Sequence, residues 1–224
     1  YQSSTNLNAT IGEDYSESPL TLTGFTYNAG KSTASGKLSA DGLVLTLYYD
    51  RNVYPYEFRF LDQGTKKPIA GPVTGSARYQ ARVTQGAKEV PGYTLVLGTT
   101  NLQTIDIVAE EGNTVVNNVK IFYYVEDTVD IKYEVVGPQG CGTLDNYQDN
   151  TVKVIDGTPE GSTPTASAGF KFVGWFKDEA CTETGKVEAS WVSADNKLTP
   201  GKTKNYGTEE TTAMGYEAAT YYAK

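Results

Sequence analysis

The sequence predicts a mainly β protein built from several small modules. Three observations carry that expectation: a composition weighted towards β-branched and aromatic residues, runs of polar–apolar alternation, and two short signatures that recur in the same order along the chain. The 224 residues include 29 Thr, 19 Val and 17 Tyr, types that fit a pleated, half-buried surface. The 23 Gly and 9 Pro are spread along the chain as turn punctuation. A hydrophobic share of 38% is low for one large core and suits small domains with much surface each.

Alternation defines the elements in chain order. From Leu43 to Tyr49 one face carries Leu43, Leu45, Leu47 and Tyr49. Tyr54, Tyr56, Phe58 and Phe60 then alternate with Pro55, Glu57, Arg59 and Leu61. Val119, Ile121, Tyr123 and Val125 form a third face, and Val129, Ile131, Tyr133 and Val135 a fourth. Each run buries one side and wets the other, as antiparallel sheets do. No long stretch has helical spacing; a short helix around Ala77 to Thr84 is the one helical expectation.

The recurring signatures divide the chain. Gly followed by an aromatic heads a strand at Gly24-Phe25, Gly92-Tyr93 and Gly169-Phe170. A Tyr pair closes a terminal strand at Tyr48-Tyr49, Tyr123-Tyr124 and Tyr221-Tyr222. The order places boundaries near Asn52 and Asp127, giving 1–52 as a partial module, then 53–127 and 128–224. Neighbouring strand residues point to opposite faces, so one Tyr of each pair is expected inside and the other outside. The abrupt first and last residues suggest a piece of a longer polypeptide. Nothing at Tyr1 reads as a signal peptide.

Val90-Pro91-Gly92-Tyr93-Thr94-Leu95, some thirty residues before Ile121-Phe122-Tyr123-Tyr124-Val125, resembles the mucin-binding-protein (MucBP) repeat of Gram-positive surface proteins. Its opening strand and Asp turn are matched by Tyr56 to Asp62. Residues Thr21 to Arg51 are similar to the second half of a related unit. Gly169-Phe170-Lys171-Phe172-Val173-Gly174-Trp175-Phe176 and the ending Tyr221-Tyr222-Ala223-Lys224 resemble the internalin B-repeat, or Listeria–Bacteroides repeat. That third segment departs from its family by an insertion from about Thr182 to Thr212. The resemblance implies tandem β-grasp-like modules in an elongated rod, exposed at the cell wall of a Gram-positive bacterium. It further implies stalk or adhesion work, with host mucin, another glycoprotein or a glycan as the partner, and a monomeric chain. Ancillary carbohydrate-binding modules of a secreted glycosidase are the alternative.

Chemistry is constrained by what is missing. There is no His, so neither Ser-His-Asp nor Cys-His nucleophile systems nor His-ligated zinc exist within this chain. A net charge of -8 argues against nucleic acid, whose binding is driven by Lys and Arg. No apolar run reaches the roughly 18 residues of a membrane helix. No cofactor and no metal are expected. Cys141 and Cys181 make an even count, which in a secreted chain favours a disulfide worth about 3–4 kcal/mol; two buried free thiols are the alternative reading. Two thiolates alone do not complete a zinc shell. Trp175 is expected as a core plug. Trp191, Tyr48 and Tyr123 are the candidate ligand-contact aromatics, Trp191 being open to either an exposed or a core reading. The Asp145 to Asn150 cluster lacks calcium-loop spacing and reads as a turn. The pairs Glu110-Glu111 and Glu209-Glu210 are expected to be solvated, and modules of this size leave little room for a glycosidase cleft.

Overall fold

The structure is a computed structural model that describes residues 9–98, 100–111, 115–207 and 213–224. It is mainly β. Residues up to 52 form short strands, β1 (Asp14–Ser16), β2 (Phe25–Tyr27), β3 (Ser35–Lys37) and β4 (Tyr49–Arg51), with β1 antiparallel to β3 and β2 to β4. Next come β5 (Val53–Asp62), β6 (Pro68–Arg78), β7 (Arg82–Gly86), β8 (Tyr93–Leu95), β9 (Leu102–Asp106) and β10 (Val119–Glu126). Four of these form a sheet in the order β6-β5-β10-β8, while β7 pairs separately with β9. The remainder holds β11 (Thr128–Val135), β12 (Gly142–Leu144), β13 (Gln148–Lys153), β14 (Pro164–Ala166), β15 (Trp175–Phe176), β16 (Lys204–Asn205), β17 (Met214–Gly215) and β18 (Ala219–Ala223). Here the sheet order is β13-β11-β18-β15, with β11 and β18 parallel in the centre. Two 3-10 turns, Glu183–Gly185 and Ala189–Trp191, supply the described helical residues.

The chain separates into two compact units: one of residues up to 60 with 70–87 and 100–122, the other of 61–69, 88–99 and 123 onwards. In the first, Phe60 and Phe122 stack with ring centroids 5.2 Å apart, Phe58 lies beside Phe122, and Ile105 and Ile107 are also buried. In the second, Ile131, Tyr133, Trp175, Val187, Leu198, Tyr216 and Tyr221 form one cluster. Full burial of each such side chain contributes about 1.5–3 kcal/mol. Val187 and Leu198 come from the insertion, which is therefore part of this core. Trp175 is 1% exposed, and its indole N–H donates to the Asn196 carbonyl at 2.9 Å.

Three expectations are corrected. Ala77 to Thr84 is not a helix: β6 runs on to Arg78, a turn follows with Gln80 at φ 62, and β7 begins at Arg82. Val83 and Thr84 are β-branched, and this local preference prevails. In β10 the buried side is Phe122, Tyr124 and Glu126, with Ile121 and Tyr123 half-buried and Val125 exposed. Both faces of that strand are apolar enough to be buried, so alternation alone could not fix its phase. No Tyr pair splits into one buried and one exposed ring. Tyr124, second of its pair, is buried; Tyr221, first of its pair, is buried; in the earliest pair Tyr49 is half-buried and Tyr48 exposed. Glu209 and Glu210 lie outside the described residues.

The Gly–aromatic signature is a turn with a backbone cause. The amides of Phe25, Tyr93 and Phe170 donate to the carbonyls of Leu22, Val90 and Ser167 at 3.0–3.1 Å. The glycines at the third turn position have φ values of +80, +78 and +88. This is the left-handed region that a type II turn requires there and that L side chains avoid. The first two turns lead directly into β2 and β8; after the third, residues 170–174 precede β15.

Gly92 and Gly98 are both left-handed, but a Cβ on Gly92 would lie 3.0–3.2 Å from Tyr206, Ile155 and Val154, whereas one on Gly98 meets nothing. Gly98→Ala is therefore expected to cost about 1 kcal/mol for backbone strain. Gly92→Ala should cost about 2–4 kcal/mol, because overpacking adds to the same strain. Urea unfolding of the two variants checks the difference.

Candidate functional site

One set of hydrogen bonds recurs where a closing strand ends and the next strand begins. Asn52 follows β4 and precedes β5; Asp127 follows β10 and precedes β11. At the first joint the Asn52 N–H donates to the Gly24 carbonyl at 2.9 Å, and its carbonyl accepts from the Tyr79 N–H at 2.8 Å. Its side-chain Oδ1 accepts from the Thr26 hydroxyl at 2.6 Å. At the second joint Asp127 repeats the set. Its N–H donates to the Gly92 carbonyl at 2.9 Å, its carbonyl accepts from the Val154 N–H at 3.0 Å, and its Oδ1 accepts from the Thr94 hydroxyl at 2.6 Å. One residue thus ties a glycine turn, the threonine two positions after that glycine, and the backbone of the segment that follows. The repeated ladder underlies this: Phe25, Thr26 and Tyr27 face Arg51, Asp50 and Tyr49, as Tyr93, Thr94 and Leu95 face Glu126, Val125 and Tyr124.

Each turn glycine is covered by the following segment. A Cβ on Gly24 would collide with the ring of Tyr79, which also meets Phe25 edge-on at 5.5 Å and Tyr54 at 6.3 Å. Gly92 is covered by Val154, Ile155 and, from the insertion, Tyr206. Both glycines are buried.

Glu126 strengthens the second joint. It is 4% exposed, and Oε1 accepts from the N–H groups of Ile155 and Asp156 at 2.6 and 2.7 Å. Lys153 Nζ stands 3.7 Å from Oε2. Burial, followed by the charges of Glu126, Asp156 and Asp62, pushes the Tyr93 hydroxyl up to about 12. Nothing in the local residue pattern marks this carboxylate as buried, since a Glu ending a strand reads as surface.

Glu110 is a second carboxylate that the sequence misplaces. It is buried rather than solvated. Oε1 accepts from the N–H groups of Val116, Asn117 and Asn118 at 3.1, 2.6 and 2.7 Å, and Oε2 from Asn117 Nδ2 at 3.1 Å. Burial pushes this carboxyl up, but the four hydrogen bonds together hold it below its ordinary value. Asn118, fully buried, continues the network to the Pro55 and Val108 carbonyls. Within the Asp145 to Asn150 segment, Asp149 accepts from the Tyr133 hydroxyl, Asn146 Nδ2 and the Gly161 N–H at 2.7–2.9 Å, a cross-brace within the core.

The sequence-selected residues each have their own surroundings. Tyr48 is 51% exposed. Tyr123 is half-buried with Lys66 Nζ 4.5 Å from its ring centre. Trp191 packs on the core edge-on to Tyr221 at 6.2 Å, with Lys177 Nζ 4.9 Å from its ring centre. Cys141, half-buried, and Cys181, buried, are free thiols in this structure. Cys181 sits at φ 50 in the turn after β15, its Sγ 3.5 Å from the Glu179 carbonyl. Cys141 lies beside Gly137 on an apolar cleft. One surface cleft lies at Leu20, Leu22, Phe25 and Tyr79, and another at Cys141. Neither is lined by a carboxylate.

No protein-family model matches the chain. The chain is 24% identical over 219 residues to internalin J of Listeria monocytogenes serotype 4b, an alignment that takes in 90% of this chain and 24% of that protein. The chain thus spans about a quarter of the length of this relative.

Two predictions follow from the carboxylates. Glu126→Ala leaves the Ile155 and Asp156 amides without their acceptor and is expected to cost about 2 kcal/mol, with faster hydrogen exchange at those two amides. Lys153→Ala, at the half-exposed partner, should cost less than about 1 kcal/mol. For Glu110 the folded carboxyl titrates below the unfolded value of about 4.3. Its stabilisation is therefore complete above that pH and is lost as pH falls through the lower folded value. Glu110→Gln should be less stable than the parent at neutral pH, and the difference should shrink as pH falls through the lowered titration of the folded carboxyl, as read by thermal unfolding across pH.

Proposed function

We propose that the chain is a non-catalytic length of stalk in a bacterial surface protein. In this reading three tandem β-grasp-like modules, 1–52, 53–127 and 128–224, are joined end to end as an elongated rod at the Gram-positive cell wall. The observation that carries it is the repeated joint at Asn52 and Asp127, where the same three hydrogen bonds recur with no residue left over as a linker. A chain that repeats the same polar tie at successive joints suits holding distance and direction. The likeness to internalin J supports a place among bacterial surface repeat proteins. The clefts without carboxylates and the lack of His support a role without catalysis.

Contact with host glycoprotein or glycan belongs to this reading as its recognition part, and Tyr48 is the ring best placed for it. A sugar stacks on an open aromatic face. Lys66 stands over Tyr123 and Lys177 over Trp191, whereas Tyr48 is half open to solvent.

Small-angle scattering of the whole chain tests the stalk. A compact domain of this length has a radius of gyration of about 17 Å; a rod of three modules is expected to exceed 25 Å, roughly half as large again. A value near the compact figure would overturn the proposal. Tyr48→Ala should leave stability within about 0.5 kcal/mol of the parent and abolish any binding to immobilised mucin.

A further inference from the structure

The insertion within residues 128–224 is fixed to the core of that segment at several points, and it crosses the Asp127 joint between two of them. Near its start it pairs with the outer side of β15: the Val187 N–H donates to the Trp175 carbonyl at 3.1 Å, and the Lys177 N–H to the Gly185 carbonyl at 2.6 Å. Lys186 there stands against Gly174, 3.6 Å from the place of a Cβ. The ladder makes Gly174 the counterpart of Gly24 and Gly92, since Ala223 faces Trp175 and the Lys224 N–H donates to the Gly174 carbonyl at 3.0 Å. The insertion thus covers a glycine of its own segment first. Further on, Leu198 is 0% exposed and exchanges two backbone hydrogen bonds with Ser162, at 2.8 and 2.9 Å. Tyr216, which follows β17, belongs to the same buried cluster as Leu198.

Between these two anchors the chain lies over the joint. The Tyr206 ring covers Gly92, and the Tyr206 hydroxyl donates to the Tyr216 carbonyl at 2.7 Å. A Cβ on Gly215 would collide with the Val154 carbonyl and with Tyr206, so the backbone of β17 passes directly between them. The turn that covers Gly92 is gripped by the same span. The Tyr216 N–H donates to the Val154 carbonyl at 2.7 Å, and Lys202 Nζ donates to the Ile155 carbonyl. The Val154 N–H, for its part, donates to the Asp127 carbonyl at 3.0 Å. Val154 therefore has one backbone group on the joint and the other on a span anchored in the core.

We propose that residues 199–207 and 213–216 act as a strap that couples the Asp127 joint to the core around Tyr133 and Trp175, with Tyr206 and Lys202 as the coupling residues. The inference rests on the stalk reading and deepens it, since a strapped joint holds its direction for as long as the core beside it stays folded. A span anchored at one end lifts by fraying, at little cost. Held by Leu198 and by Tyr216, this one lifts only by drawing an anchor out of the interior. The joint then opens with the core and not before it.

Hydrogen exchange of the 224-residue chain tests the coupling. Protection factors are read at Asp127 and Val154 for the joint, at Leu198 for the core, and at Asn52 and Tyr79 for the other joint, all of them amides with backbone acceptors. In the parent chain Asp127 and Val154 are expected to match Leu198 within about fivefold. Tyr206→Ala should lower protection at Asp127 and Val154 by about tenfold or more relative to Leu198, and leave Asn52 and Tyr79 unchanged. Lys202→Met, at an exposed residue, should shift the same two amides by about threefold relative to Leu198, and serves if Tyr206→Ala does not fold. Joint amides more than about fivefold less protected than Leu198 in the parent would overturn the strap, because the joint would then open without the core. So would variants that change nothing, or that lower Asp127, Val154 and Leu198 equally, since Tyr206 and Lys202 would then be ordinary members of the fold. Neither result bears on the radius of gyration, so strap and stalk fail separately.

Discussion

Asn52 and Asp127 each have amide, carbonyl and side chain committed at once: backwards to a glycine turn, sideways to a threonine, and forwards to the segment that follows. No flexible residue separates this three-way tie from the strand that starts beside it. A linker of even a few Gly or Ser residues would let the neighbouring parts diffuse relative to one another. Here the ladder that closes one sheet segment also fixes the entry of the next strand. The individual hydrogen bonds contribute only about 1 kcal/mol each; their effect is geometric, because three bonds from one residue leave it no alternative orientation.

The glycine turns follow from that tie. To bring the amide of Asn52 or Asp127 onto the turn carbonyl, the chain reverses at Gly24 and Gly92 in the left-handed region. The missing Cβ then becomes space for Tyr79 in one case and for Val154, Ile155 and Tyr206 in the other. Backbone freedom and close approach are thus two uses of the same residue. In the second joint Tyr206 comes from the insertion that sets the third segment apart from the repeat it resembles. The insertion also lends Val187 and Leu198 to the core, so it serves both interior and joint.

How far the sequence shows this depends on the kind of interaction. The turns are legible because Gly before an aromatic is a local constraint, readable from two letters. The strands around Phe58, Phe60, Ile131 and Tyr133 are legible because one face is plainly more apolar than the other. In β10 Phe122 and Ile121 compete on equal terms, and the choice is made by what packs opposite, Phe60 in this case. The Tyr pairs fail as rulers for the same reason: Tyr124 and Tyr221 are both buried although they hold different places in their pairs. Glu110 and Glu126 were not legible at all. A carboxylate is buried only when several amides converge on it, and those amides belong to loops whose paths no periodicity encodes. The threonine–asparagine and threonine–aspartate bonds stood in plain view as Gly-aromatic-Thr, yet their partners, 26 and 33 residues away, become visible only with the ladder register.

The two joints share their tie but differ in the residue that faces the turn aromatic. Arg51 stands opposite Phe25 and directs a guanidinium N–H towards the Tyr79 carbonyl at 3.5 Å. Glu126 stands opposite Tyr93 and accepts from the Ile155 and Asp156 amides. One position is a donor and the other an acceptor, so the segments that follow are not interchangeable. A carboxylate at the first joint would face a carbonyl oxygen, and a guanidinium at the second would face two N–H groups. Only the second mismatch buries unpaired groups, because Glu126 is buried whereas Arg51 is exposed, and there the loss exceeds what the matched bonds gain. Apolar cover alone would tolerate either order, because it is non-directional. The polar residue beside each tie therefore differs between the two joints, while the shared tie and the glycine supply their common geometry.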